Sequence, residues 1–135
     1  MPVPSPFEYV TIRVVPRVER GEFVNVGVVL YCRPRRFLDA RLDLGEPQRA
    51  ALAALAPDLD FDAVRRRLDM LRRVCAGDAA AGAIALLPQF DRFGWLVAPL
   101  STIVQPSPVH TGLCADPAAM LDRLAATIVR VPPHD

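Results

Sequence analysis

The chain has 135 residues, 52% of them apolar and 23% charged, the size and balance of one globular domain and not of a disordered segment. Its net charge of +1 excludes a global field that would draw in nucleic acid or anionic lipid. All 16 basic residues are arginine, a compositional bias that weakens any inference from one arginine to one phosphate.

The first predicted element is FEYVTIRVV, residues 7 to 15, where Val10, Ile12 and Val14 alternate with Tyr9, Thr11 and Arg13. Two-residue periodicity with β-branched side chains predicts a strand. The segment PRVERG, residues 16 to 21, supplies a hairpin turn. A second strand follows in RGEFVNVGVVLYCRPRRF, with Val24, Val26, Val28, Leu30 and Cys32 on one face and Phe23, Asn25, Gly27, Val29 and Tyr31 on the other. A third is FLDARLDL, residues 37 to 44. Two helices come next, one over 45–57 with proline near its start and one over 59–77 with Phe61, Val64, Leu68, Leu71 and Cys75 on one stripe. Residues 78–88 leave loop and short helix both open. GWLVAPLSTIVQ, residues 94 to 105, predicts one or two strands broken at Pro99 and kept at an edge by Pro106 and Pro108. The last helix opens on Asp116 as N-cap with Pro117 after it, and PPHD stops it.

These elements predict one α+β domain over residues 1–135. Its antiparallel β-meander has three N-terminal strands plus one or two C-terminal edge strands, covered on one face by two to four helices. Parity sets the register, because a slip of one would expose every apolar residue. It pairs Val14 with Val24, Ile12 with Val26 and Val10 with Val28, then Val28 with Ala40, Val26 with Leu42 and Val24 with Leu44. Slips of two preserve the same parity.

In that register the outer face holds the first candidate site. Arg13 stands opposite Asn25 and Asn25 opposite Asp43, while Thr11 stands opposite Gly27 and Gly27 opposite Arg41. Glu22 is nearby, and Tyr9 and Asp39 flank the group. Gly27 would leave a dip, and an arginine, an asparagine and carboxylates around it could hold a polar or anionic small molecule. The competing reading is a solvated sheet face carrying ordinary cross-strand ion pairs.

Two further groups draw notice. The segment STIVQPSPVHTGLCAD places Ser101, Ser107, His110, Thr111 and Cys114 close in sequence, but a His–x3–Cys spacing in a proline-rich loop specifies no catalytic geometry. The second histidine, His134, lies in the tail, too little for a metal centre. Arg65, Arg66, Arg67, Arg72 and Arg73, with Arg33, Arg35 and Arg36, could meet an acidic partner or, as a second alternative, bind nucleic acid weakly, although a solvated face explains them better. Three widely spaced cysteines (Cys32, Cys75 and Cys114) read as free buried thiols in a reducing compartment. The opening MPVPSPFEY is unlike a signal peptide, and no apolar run approaches the ~20 residues that span a bilayer. Together these predict a cytoplasmic protein with no metal or cofactor.

YVTIRVVPRVERGEFVNVGVVLY, residues 9 to 31, resembles the opening of the bacterial domain-of-unknown-function family numbered 3037. The likeness rests on Gly21–Glu22 and Asn25–Val26–Gly27, and GWLVAPLSTIVQPSPVH and DPAAMLDRL resemble that family's second half. The resemblance carries no assigned activity and therefore no catalytic residue. It implies an accessory or antitoxin-like role beside a HipA-like kinase, since genes of the two kinds often neighbour each other. The expectation that follows is a non-catalytic protein-interaction module. The alternative is a small-molecule binder or enzyme using Arg13, Glu22, Asn25, Gly27, Arg41 and Asp43.

Overall fold

A computed structural model describes residues 3–99 and 102–130. Its strands are β1 (Ser5–Val14), β2 (Val24–Cys32), β3 (Phe37–Leu42), β4 (Val104–Pro106) and β5 (His110–Cys114), all paired antiparallel. The order across the sheet is β3-β2-β1-β4, with β5 also on β1. Both short strands lie along one edge of β1: β4 pairs with Ile12–Val14 and β5 with Ser5–Tyr9. Between them Ser107 takes the place of a ladder residue. Its N–H donates to the Thr11 carbonyl at 2.8 Å, and its buried Oγ accepts the Thr11 N–H at 2.9 Å. Two prolines flank Ser107, so a side-chain oxygen bridges the gap where continuous pairing is impossible.

The first hairpin follows the parity register for two pairs, Val14 with Val24 and Arg13 with Asn25, and then departs from it. Ile12 pairs with Gly27, Thr11 with Val28 and Val10 with Val29, so Val26 is an extra residue in β2. A β-bulge of this kind shifts the alternation of everything beyond it. The predicted pairs Ile12–Val26, Val10–Val28 and Thr11–Gly27 are therefore corrected. The same holds in the second hairpin, where Gly27 pairs with Leu42, Val28 with Arg41 and Val29 with Ala40. Val26 keeps its carbonyl satisfied, accepting the Asp43 N–H at 2.6 Å. Gly27 suits this point because β3 crowds it: a Cβ there would stand 2.9 Å from the Arg41 carbonyl oxygen and overlap Leu42 Cδ2.

The consequence is a strand buried on both sides. Val26, Val29 and Tyr31 join Val10, Ile12 and Val14 in the main core, while Val28, Leu30 and Cys32 face the opposite way into a second cluster with Phe7, Cys114 and Leu121. Helices consequently lie on both faces, where the sequence led us to expect cover on one. The main core is capped by α1 (Glu46–Leu55), α2 (Phe61–Ala76) and α3 (Gln89–Val97) through Leu52, the stripe Val64–Leu68–Leu71–Val74–Cys75, and Phe93 with Leu96. The second cluster is covered by α4 (Pro117–Ile128), whose Leu121 is wholly buried, a gain of about 1.5–3 kcal/mol.

Local signals fix the helix ends, as expected at Gly77 and Asp116, and also at Asp60. The Asp60 carboxylate accepts the Ala63 N–H at 3.0 Å, and Gly77 ends α2 in the left-handed region at φ 71°. Asp116 accepts the N–H groups of Ala118 and Ala119 at the start of α4. One segment is corrected: Gly94–Trp95–Leu96–Val97 is helical, not a strand. Phe93, Leu96 and Val97 stand at helical spacing and pack on the main core, and that burial overrides the strand preference of a Trp-Leu-Val run. Residues 78–88 resolve into two short 3-10 turns. Among the described residues, no helix is long and apolar enough to cross a membrane.

Candidate functional site

The second face of the sheet grades from apolar to polar along the strands. At one end Phe7, Leu30, Cys32 and Phe37 pack together with Leu121 and Met120 of α4. The next row pairs Arg41 with Val28 and Val28 with Thr11, and the last sets Asn25 against Arg13 and Arg13 against Gln105. A polar row across β2, β1 and β4 thus forms at the open end of the sheet; it keeps the predicted Arg13–Asn25 pair, but its third member is Gln105 and not Asp43.

Within this row the guanidinium of Arg13 lies 4.3 Å from the centre of the Phe23 ring. Its Nε and the Asn25 Oδ1 are both shielded from water and have no hydrogen-bond partner. An orphaned donor and an orphaned acceptor on neighbouring strands carry a desolvation cost that a bridging polar group would offset. Asn25 also borders a hollow of about 340 Å³ lined by Gln48, Thr127 and Arg130. There the buried Gln48 amide donates to the Val129 carbonyl at 2.8 Å and ties α1 to the end of α4.

The other residues of the predicted constellation go elsewhere. Arg41 donates to Asp39 at 2.9 Å and to Asp122 of α4 at 2.8 Å, and the hydrogen bond to Asp39 first, then that to Asp122, hold it more firmly protonated than usual. It clamps α4 to β3 and does not turn toward Arg13. Gly27 lies on the main-core face, opposite Ile12 and Leu42, because of the bulge. Glu22 sits in the exposed hairpin turn, bonded by Arg20, which holds its carboxyl below the ordinary carboxylate range. The Asp43 carboxylate lies against Gly45, where a Cβ would come 3.1 Å from its Oδ1. Of the six, the structure brings together Arg13 and Asn25.

His110 and Cys114 are four residues apart on one extended strand, a span of ~13 Å. His110 stacks on Tyr9 at 5.1 Å, while Cys114 is buried, its thiol pushed up by that burial and then by the neighbouring Cys32. Ser107 is spent on Thr11, and Thr111 is exposed on β5. Ser101 and His134 lie outside the described residues. All three cysteines are free and buried. Among the described residues, no group of three or more potential metal ligands gathers.

The arginine cluster is largely neutralised along its own helix. Arg65 pairs with Asp62, and Arg72 and Arg73 pair with Asp69. Arg35 reaches Ser5 Oγ and the Val3 carbonyl, and Arg33 stands 4.8 Å over the Phe90 ring. Arg66 and Arg67 have no such pair among the described residues; Arg66 is exposed, whereas Arg67 is half-buried and lies 5.8 Å over Trp95 beside an apolar groove. Its place beside the Val64–Leu68–Leu71 stripe was visible in the sequence. Its partner was not, because a Trp-Leu-Val run by itself favours a strand.

A family model described as "Protein of unknown function (DUF3037)" matches residues 9–129, so the chain belongs to that family. No curated protein and no solved structure matches it.

Proposed function

We propose that this member of the DUF3037 family is a non-catalytic module that receives an extended segment of a partner protein along β5. The observation that carries the reading is the free edge of that strand. β5 pairs with β1 on one side and with no strand on the other among the described residues. Thr11 turns its N–H and C=O toward Ser107, so alternation along the ladder points those of Phe7 and Tyr9 toward β5. On β5 the groups of Thr111 and Leu113 then face outward, free to bond an added strand. Leu113 is 67% exposed, and beside the edge lies a hollow of about 460 Å³ between Pro6, Tyr31, Arg33 and Thr111 that would take an anchoring side chain. A HipA-like kinase is the partner class that the family resemblance implies.

The test is affinity purification of the tagged chain from its own host, alongside Leu113→Pro. That change removes an outward N–H while leaving the β1–β5 ladder intact. A specific partner held by the parent and lost by the variant supports the reading. If no specific partner appears, or if Leu113→Pro holds it equally well, the reading fails.

A second reading keeps Arg13 and Asn25 as the seat of a small polar ligand, supported by their two orphaned atoms. Acetate and acetamide titrations followed at the Asn25 side-chain amide by NMR would test it, and unmoved resonances would dispose of it.

A further inference from the structure

The surface between α2, α3 and β4 carries a feature that neither the strand edge nor the Arg13–Asn25 row uses. A small apolar pocket of about 110 Å³ lies between Ile12, Leu71, Leu96 and Trp95. It lies beside a broader hollow of about 590 Å³ walled by Leu59, Val64 and Ile103, and Arg67 lines both. Unlike Arg65, Arg72 and Arg73 on the same helix, Arg67 is half-buried and has no carboxylate partner among the described residues. Its guanidinium lies 5.8 Å from the centre of the Trp95 ring. A partly desolvated guanidinium beside apolar walls and an indole face suits a ligand with one negative charge and one apolar body. The pocket opens to solvent, and its volume of about 110 Å³ approaches the ~150 Å³ of an apolar cavity that accepts a single benzene ring.

We propose that this groove binds a small monocarboxylate with an aromatic or short aliphatic body. The carboxylate accepts from Arg67, and the body lies on Trp95 and enters the pocket lined by Ile12, Leu71 and Leu96. A neutral alcohol of the same shape would keep the apolar contact and lose the charge-assisted one, binding on the order of tenfold more weakly. An amine of the same shape would add repulsion.

Trp95 is the chain's single tryptophan, so its fluorescence reports on this groove directly. The intact protein is titrated with phenylpropanoate, phenylpropanol and phenylpropylamine, alongside Arg67→Gln and Arg66→Gln. The expected result is a saturable change with phenylpropanoate, at least tenfold weaker with the alcohol and absent with the amine. Arg67→Gln, melting at the parent temperature, should lose at least tenfold in affinity for the acid while Arg66→Gln keeps it. Equal binding of acid and alcohol, unchanged binding by Arg67→Gln, equal loss in Arg66→Gln, or no saturable change at all would each overturn the proposal.

Discussion

Replacing Gly27 by alanine tests the bulge and the two-faced β2 strand together. Were Gly27 on an open outer face, the added methyl would meet nothing. Alanine would then stabilise the fold by about 0.4–1 kcal/mol through the loss of unfolded-chain freedom. In the structure the new Cβ overlaps Leu42 Cδ2 and comes 2.9 Å from the Arg41 carbonyl oxygen, a backbone atom that moves only with β3 itself. Overpacking of this kind costs about 1–3 kcal/mol, so the balance is a net loss of about 1–2 kcal/mol. With an unfolding entropy of roughly 2.1 cal/mol/K per residue over 135 residues, Tm should fall by roughly 4–7 °C. Gly94→Ala is the control, since nothing lies within 4 Å of its added Cβ, and it should raise Tm slightly. Thermal melts by circular dichroism measure both. A Gly27→Ala protein that melts at or above the parent would refute the assignment of Gly27 to the crowded face.

Ser107→Ala removes the acceptor of a buried Thr11 N–H, which should cost about 1–3 kcal/mol and speed exchange of that one amide between β4 and β5. Unaltered Thr11 exchange would show that the hydroxyl does not hold the strands together. Burial pushes the Cys75 thiol up to about 12 from an ordinary value of 9.0. Because the folded value is the higher one, this contribution to stability is complete below pH 9 and declines from there toward pH 12, by at most ~1.4 kcal/mol per pH unit. Denaturant melts of the parent and of Cys75→Ala, compared at pH 8 and pH 10, should draw closer together at the higher pH. A constant difference would contradict the assignment.

The α+β class, the meander, the stop at Gly77 and the cap at Asp116 were legible because each rests on local periodicity or on the chemistry of a single turn. The bulge was not legible, because β2 offers apolar residues on both parities and, beyond Asn25, no charged residue marks which side faces water. Its cause is long-range: the crowding of Gly27 by β3 and the apolar face that α4 brings to Val28, Leu30 and Cys32. The same blindness dispersed the candidate site. Arg13 and Asn25 lie before the bulge and meet as parity requires, whereas Gly27 lies beyond it and turns away. Parity places Arg41 beside Gly27, and its partner Asp122 was not legible because it is 81 residues distant in sequence. Residues 94–97 failed for a simpler reason: Trp-Leu-Val suits a strand until Phe93 and Leu96 are seen to share a buried face.

The bulge also fixes when the fold can be completed. Val28, Leu30 and Cys32 emerge early in synthesis, yet the helix that shields them begins at Pro117, 85 residues after Cys32 (117 − 32). Contacts of such long sequence separation form slowly and late. Until α4 arrives, the nascent sheet carries a bare strip of valine, leucine and cysteine beside the unpaired edge of β3, the combination that invites association between chains. A ribosome paused before Pro117 would therefore hold a nearly complete sheet with one greasy side open, a natural client for a chaperone.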